Sequence, residues 1–163
     1  MIFTVRGPHE VPFVAVKRRG RRIDRSRLDD FWAEAGELCD ARGCYIVGVR
    51  AGRGLTPLYI GKSSRGFRHD LFATANIRKY DQALAGYGRG TPVILFLVQS
   101  GRDRETQSIS ELERFLIQTA SIRNPQLLNV KGVRRQEWGI AGVYRSPGRQ
   151  SEAAKVFAAM LDL

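Results

Sequence analysis

Histidine and cysteine are scarce, with two of each in 163 residues. His9 and His69 are too few for a multi-histidine metal site, and Cys39 and Cys44 cannot build a four-thiolate zinc site or a disulfide framework. Both thiols are expected to be reduced, as in a cytoplasmic protein. A serine triad would have to borrow one of the two histidines, and no G-x-S-x-G elbow is present to support it. No apolar run approaches the roughly 20 residues that a membrane span needs. The opening stretch MIFTVRGPHE lacks the basic-then-apolar layout of a secretory signal. The expectation is a protein without a membrane partner.

What is present is ordinary globular composition, 43% hydrophobic and 26% charged, at a length that fits one domain. The charge is unbalanced: 27 Lys and Arg face 16 Asp and Glu, a formal net charge of +11. Such an excess favours a polyanionic partner. Much of it is local, because residues 17–27 (KRRGRRIDRSR) hold seven basic residues and one acid. A basic run of this kind is either a solvated edge or a nucleic-acid contact.

Periodicity gives a mixed layout. Residues 11–17 (VPFVAVK) read as a strand, and Ser26 with Asp29 reads as a capping box opening a helix through Leu38. Two short strands follow, 44–50 (CYIVGVR) and 57–62 (PLYIGK); the glycines between them predict a hairpin. Residues 64–85 suit one helix or two short ones, and 92–98 (PVILFLV) suits a covered central strand. A helix over 108–123 stops at Asn124-Pro125. A strand over 140–145 and a helix capped by Ser151, with Ala154, Phe157, Ala158 and Leu161 inward, complete the chain. The fold class is α/β in the α+β sense: a small three-stranded, mixed or antiparallel sheet flanked by helices. An N-terminal basic strand-helix (1–41) and a C-terminal strand-helix (131–163) would extend a module at 42–130.

Two glycine motifs mislead. Gly61-Lys62-Ser63 resembles the end of a phosphate-binding loop, but the glycine that loop needs five residues earlier is Thr56. Residues 86–90 (GYGRG) read as a turn. In the hairpin, Tyr59 and Gly61 share a face opposite Leu58 and Ile60. Tyr45 can join them, placing two phenols beside a glycine that would let a substrate approach the sheet. Packing tyrosines fit the same pattern. On the later helix, Glu113 lies among Leu116 and Ile117, while Glu111 lines up with Arg114 and Gln118 on the wetter side. A carboxylate on an apolar flank costs free energy unless it is paired or binds a cation. Ser110-x-x-Glu113 also fits a capping box, and sequence physics leaves these readings even.

Taken in order, Gly43-Cys44-Tyr45, Leu58-Tyr59-Ile60-Gly61, Glu113 with Leu116-Ile117, and Leu127-Leu128-Asn129 resemble the motifs of the GIY-YIG nuclease superfamily. The resemblance covers roughly residues 42–130. It implies a metal-dependent endonuclease hydrolysing phosphodiester bonds in nucleic acid, DNA before RNA. Tyr45 and Tyr59 match the two motif tyrosines, Gly61 the second motif's glycine, and Lys62 the basic residue that follows it. Glu113 matches the metal-binding carboxylate and Asn129 the asparagine near the module's end. The family's arginine falls about ten residues after the second tyrosine, which here is His69; Arg68 is the first choice and Arg65 the second. Cys44 replaces the usual isoleucine, the two tyrosines are separated by thirteen residues, and Asn129 comes late after Glu113.

The implied chemistry places one Mg²⁺ (or Mn²⁺) on Glu113 as Lewis acid, with Arg68 or Arg65 forked onto phosphate oxygens. Tyr45 is assigned as base, its phenol depressed by the metal and Lys62, and Tyr59 as orienting. Lys17, Arg18, Arg19, Arg21 and Arg22 would bind flanking phosphates without reading sequence, alongside Gly61, His69 and Asn129. Arg78, Lys79, Lys131, Arg134 and Arg135 would extend that surface, while Tyr80 packs. The alternative is a catalytically silent nucleic-acid-binding module that kept the fold. A guanidinium within reach of Glu113 and Tyr45 would separate the two. A homodimer and an inhibitor or partner protein are left open by composition.

Overall fold

The protein is described from a computed structural model covering residues 2–16, 20–52, 54–87, 89–101, 106–129 and 149–161. The chain divides into two compact units, Met1–Val133 and Arg134–Leu163. The first is built on a four-stranded antiparallel sheet with spatial order β1-β6-β4-β5, where β1 is Ile2–Glu10, β4 Gly43–Ala51, β5 Gly54–Ser63 and β6 Thr91–Ser100. The expected mixed α+β class is what forms. The three expected strands are β4, β5 and β6, with β6 central and almost wholly buried from Pro92 to Ile94 and at Phe96, as its apolar run requires.

The added N-terminal strand is a different segment from the expected one. Ile2–Glu10 pairs with β6 at the sheet edge, interrupted by a register shift between Arg6 and His9 where Gly7-Pro8 intervenes. Of the expected strand over 11–17, the described residues 11–16 add no strand to that sheet, although the Val11 N–H donates to the Pro92 carbonyl at 2.9 Å. Phe13–Val16 (β2) instead forms a separate two-stranded hairpin with Gly20–Ile23 (β3). Ser26 does not cap the next helix: the Asp24 carboxylate accepts the Ser26 N–H (3.1 Å) and hydroxyl (2.6 Å) and caps a 3-10 turn, Arg25–Arg27, which leads into α1, Leu28–Ala35, whose own N-cap Arg27 makes no side-chain capping bond.

Of the one helix or two short ones expected over 64–85, two form, α2 (Phe67–Asp70) and α3 (Thr74–Ala85). The helix α4 spans Thr106–Arg123 and ends at Asn124, whose Nδ2 donates to the Pro57 carbonyl at 2.8 Å. One sheet face carries Tyr45, Val47, Val49, Ile94 and Phe96 against α1, α2 and α3, forming the main core with Phe31, Trp32, Phe67, Leu71, Tyr80 and Leu84. The opposite face carries Ile46 and Ile60 against Ile117, Ala120 and Leu116 of α4. Cys44 also lies on this face, fully buried, with its thiol 3.3 Å from the Ile109 carbonyl.

In the second unit, α5 runs from Glu152 to Leu161, with the Ser151 hydroxyl accepting the Ala154 N–H at 3.1 Å as expected of its cap. The strand expected at 140–145 lies outside the described residues, as do Lys17, Arg18, Arg19, Lys131, Arg134 and Arg135. Among the described residues no helix is long and apolar enough to cross a membrane.

Candidate functional site

Strand β5 is the outer strand, and its residues alternate between two faces from Tyr59 to Ser63; Leu58, at the register shift opposite Val47 and Gly48, packs in the main core with Tyr59 instead of on the Ile60 face where it was expected. Lys62, paired with Cys44 across the hairpin, points to the α4 side. There its ammonium lies 3.0 Å from Glu113 Oε2 and 3.1 Å from Ser110 Oγ. The Glu113 side chain is 23% exposed and that of Lys62 43%, so the pair is reachable from solvent. The capping-box reading of Ser110 and Glu113 does not hold: α4 begins at Thr106, and Ser110 bonds the Thr106 carbonyl at 3.1 Å within the helix. Glu113 therefore owes its place on an apolar flank to pairing with Lys62. Glu111 is exposed and accepts from Gln107 Nε2 at 3.0 Å, on the wetter side as expected.

Tyr45, Tyr59, Gly61 and Ser63 occupy the other face, with Tyr45 opposite Gly61 and Val47 opposite Tyr59. The shared face of the two tyrosines is thus observed, and their ring centroids are 6.4 Å apart. The space beside Gly61 is filled from within. A side chain there would overlap Tyr45 Cζ and Oη, so the missing Cβ admits the Tyr45 ring and leaves no opening for a substrate. Tyr45 is 1% exposed; its hydroxyl lies 3.3 Å from that of Tyr80 and 3.4 Å from Asn76 Nδ2. Burial pushes the Tyr45 phenol above its ordinary range; Tyr59, Asp70 and Glu113 add to that, and the Tyr80 hydrogen bond only opposes it. This is contrary to the lowered phenol expected of a base. Tyr59 is the half-exposed phenol of the pair, with Lys79 Nζ 5.0 Å from its ring centroid. Tyr80 packs at 1% exposure, as expected.

The two arginines are held by other carboxylates. Arg68 pairs with exposed Asp29 of α1 at 3.1 Å, and Arg65 with Asp70 at 3.2 Å. Asp70 gathers several partners. Its Oδ2 accepts from Ser63 Oγ at 2.7 Å, and His69 Nδ1 lies 2.9 Å from its Oδ1. Partial burial alone would raise the Asp70 carboxyl, but the bonds from Ser63, His69 and Arg65, with the Arg65 charge, hold it below the carboxylate range. Neither guanidinium is an ion-pair partner of Glu113 among the described residues.

Asn129 is occupied with the fold. Its side-chain amide accepts the Ile60 N–H at 2.9 Å and donates to the Ile60 carbonyl at 2.7 Å, standing in for a neighbouring strand on the open edge of β5. Of the two roles the resemblance implies for this asparagine, structural or phosphate-adjacent, these bonds are a structural, edge-sealing one. Asp70, Ser63 and Asn76 were not anticipated as site residues, and Lys79 was expected only as part of an extended basic surface. Asn76, Lys79 and Tyr80 share a helical face, which is a readable signal; the Ser63–Asp70 contact joins a strand end to a helix and has none. Comparison with family models, curated proteins and solved structures finds no match to this chain.

Proposed function

We propose that this chain is a divalent-metal-dependent endonuclease of GIY-YIG type, acting on nucleic acid with DNA preferred. The observation that supports this reading is the solvent-reachable Lys62–Glu113 pair, which couples the residue after the second motif to the helix carboxylate. Among the described residues no group of three or more His, Cys, Asp or Glu is assembled, so Glu113 would hold a cation with at most one further such ligand. That suits Mg²⁺ or Mn²⁺, since Mg²⁺ keeps most of its waters and is held by one or two carboxylates plus substrate phosphate. A bound cation would supply Lewis-acid charge at the scissile phosphate. The chain's own residues divide the remaining work. Lys62, released from Glu113, places an ammonium against a non-bridging oxygen, and Arg65 at the same end of β5 offers a guanidinium fork. Tyr45 and Tyr59, on the face of β5 opposite to Lys62 and Glu113, would act as supports that hold the hairpin from below.

The second reading, a silent nucleic-acid-binding module, is favoured by the engagement of Arg65 and Arg68 with Asp70 and Asp29 rather than with Glu113. Incubation of plasmid DNA and of DNA and RNA oligonucleotides with Mg²⁺ or Mn²⁺, with an EDTA control and Glu113→Ala, separates them. Metal-dependent cutting lost in Glu113→Ala is the expected result. Binding without cutting of any substrate would establish the silent module.

A further inference from the structure

The main sheet has two outer edges, and the chain treats them differently. On β5 the Asn129 side chain bonds both backbone groups of Ile60, and the Leu128 N–H donates to the Leu58 carbonyl at 2.9 Å. β1 ends the sheet order on the other side. Among the described residues no backbone group from outside the sheet reaches Ile2–Arg6. Alternate residues of that stretch therefore turn their N–H and C=O groups away from β6, as an edge ready for a further strand.

The side chains of this edge are apolar and exposed, Ile2 at 73% and Val5 at 61%. Ile2–Arg6 holds no lysine, proline or glycine of the kind that protects an edge; Gly7-Pro8 interrupts the strand only beyond Arg6. Val5 pairs with Leu97, itself opposite Cys44, so Val5 and Phe3 lie on the α4 side of the sheet. Ile2, Thr4 and Arg6 lie on the other side, with Phe96. The single ion of the stretch, Arg6, already faces Glu37 at 3.9 Å. A net charge of +11 opposes self-association, and this edge lets two copies meet without opposed charges.

We infer that Ile2–Arg6 is a self-association surface, on which two copies pair their β1 strands antiparallel about Thr4 to form one continuous sheet. In that register Thr4 faces Thr4 of the second copy, Phe3 faces its Val5, and Ile2 faces its Arg6. Thr–Thr and aromatic–β-branched pairs are among those that stabilise neighbouring strands. All five residues are used. A register centred on Phe3 leaves Arg6 unpaired, and one centred on Val5 runs Ile2 and Phe3 into Pro8 and Gly7.

The charges agree with this register. The two Arg6 residues stand four positions apart along the paired strands, about 14 Å at the rise of a strand. That exceeds the screening length of about 8 Å at physiological salt. Because the β5 edge is sealed, each copy brings one open edge and the assembly closes at two. β6 and β4 separate β1 from β5, so Lys62 and Glu113 stay outside the interface and the inference does not rest on cleavage. Five residues a side make a small interface, whose dimer should dissociate on dilution.

The test is sedimentation velocity of the full chain from about 5 μM to about 500 μM, the range of weak dimers. Wild type is expected to pass from monomer to dimer. Thr4→Glu and Thr4→Lys each set like charges directly opposite, and each is expected to raise the dissociation constant at least about tenfold. Mixed one to one, the two variants are expected to recover a dimer, because this register places residue 4 opposite itself. Ile122→Glu, a charge added on the exposed side of α4, is expected to dimerise as wild type does. Circular dichroism melts confirm that each variant is folded. Hydrogen exchange of the unsubstituted chain gives a second readout, with amides of Ile2–Arg6 expected to slow as concentration rises. A wild type that stays monomeric throughout, or grows past a dimer, overturns the inference. So does a dimer that survives in both Thr4 variants, a mixture no more associated than its components, or a dimer lost in Ile122→Glu. Exchange at Ile2–Arg6 that is independent of concentration overturns it as well.

Discussion

Gly61→Ala measures how tightly the two hairpin motifs are interlocked. Gly61 sits opposite Tyr45, and an added methyl would overlap Tyr45 Cζ and Oη and lie 2.9 Å from Cε2. The ring has no easy retreat: it is 1% exposed, edge-on to Phe67 at 6.3 Å, with its hydroxyl beside Tyr80. Overpacking of this kind costs about 1–3 kcal/mol. For a chain of this size that lowers the melting temperature by roughly 2–12 °C. Tyr45→Ala removes the obstacle but opens a cavity, at about 3–5 kcal/mol by analogy with other buried aromatics. In that background the methyl of Gly61→Ala meets open space, so its own cost should fall to near zero. A double-mutant cycle by urea unfolding is therefore expected to return a coupling of about 1–3 kcal/mol. Additivity within about 0.5 kcal/mol would refute the close approach of the Tyr45 ring to Gly61.

Other outcomes follow from the same geometry. The Cys44 thiol is pushed up to about 12, first by burial, then by Glu113 and against Lys62. A group raised in the folded state stabilises it below the ordinary value of 9.0 and ceases to as pH climbs toward 12, so stability should fall across that window. In the native protein an aromatic disulfide reagent should label Cys39 while sparing Cys44. Asp70 has the opposite sign: its depressed carboxyl stabilises the fold above the ordinary 3.8, and the contribution is lost as pH falls through the folded value. Asp70→Asn should cost about 1–3 kcal/mol at pH 7, with the gap to wild type narrowing below pH 4 in acid melts. Asn129→Ala strips both partners from Ile60 and should cost about 1–3 kcal/mol while leaving the salt slope of DNA binding untouched.

Much of the sheet was legible because its strands are buried and apolar. The run from Pro92 to Val98 and the hairpin around two glycines carry period and turn chemistry together. β1 was not: IFTVRGPHE is exposed on most positions, carries Arg6, His9 and Glu10, and is broken by Gly7-Pro8, so no alternation marks it. Ser26 is no helix cap because a 3-10 turn capped by Asp24 precedes the helix and shifts its start to Leu28. At the site, strand alternation placed Tyr59 and Gly61 on one face and allowed Tyr45 to join them, but the hairpin register that lays Tyr45 across Gly61 was not readable from the sequence. The apolar flank of Glu113 was legible but left it even with a capping role, and only the family resemblance singled it out. Its partner Lys62 is 51 residues away and on another element, beyond any local pattern.

The central claim is that Glu113 is the metal-ligating carboxylate of an endonuclease. It is tested most directly by time courses of supercoiled plasmid nicking across a Mg²⁺ titration, run in parallel for wild type, Glu113→Ala and Glu113→Asp. Saturable Mg²⁺-dependent nicking in wild type, abolished by Glu113→Ala and shifted to higher Mg²⁺ by Glu113→Asp, is the predicted result. Nicking by Glu113→Ala at the wild-type rate and Mg²⁺ midpoint would contradict it.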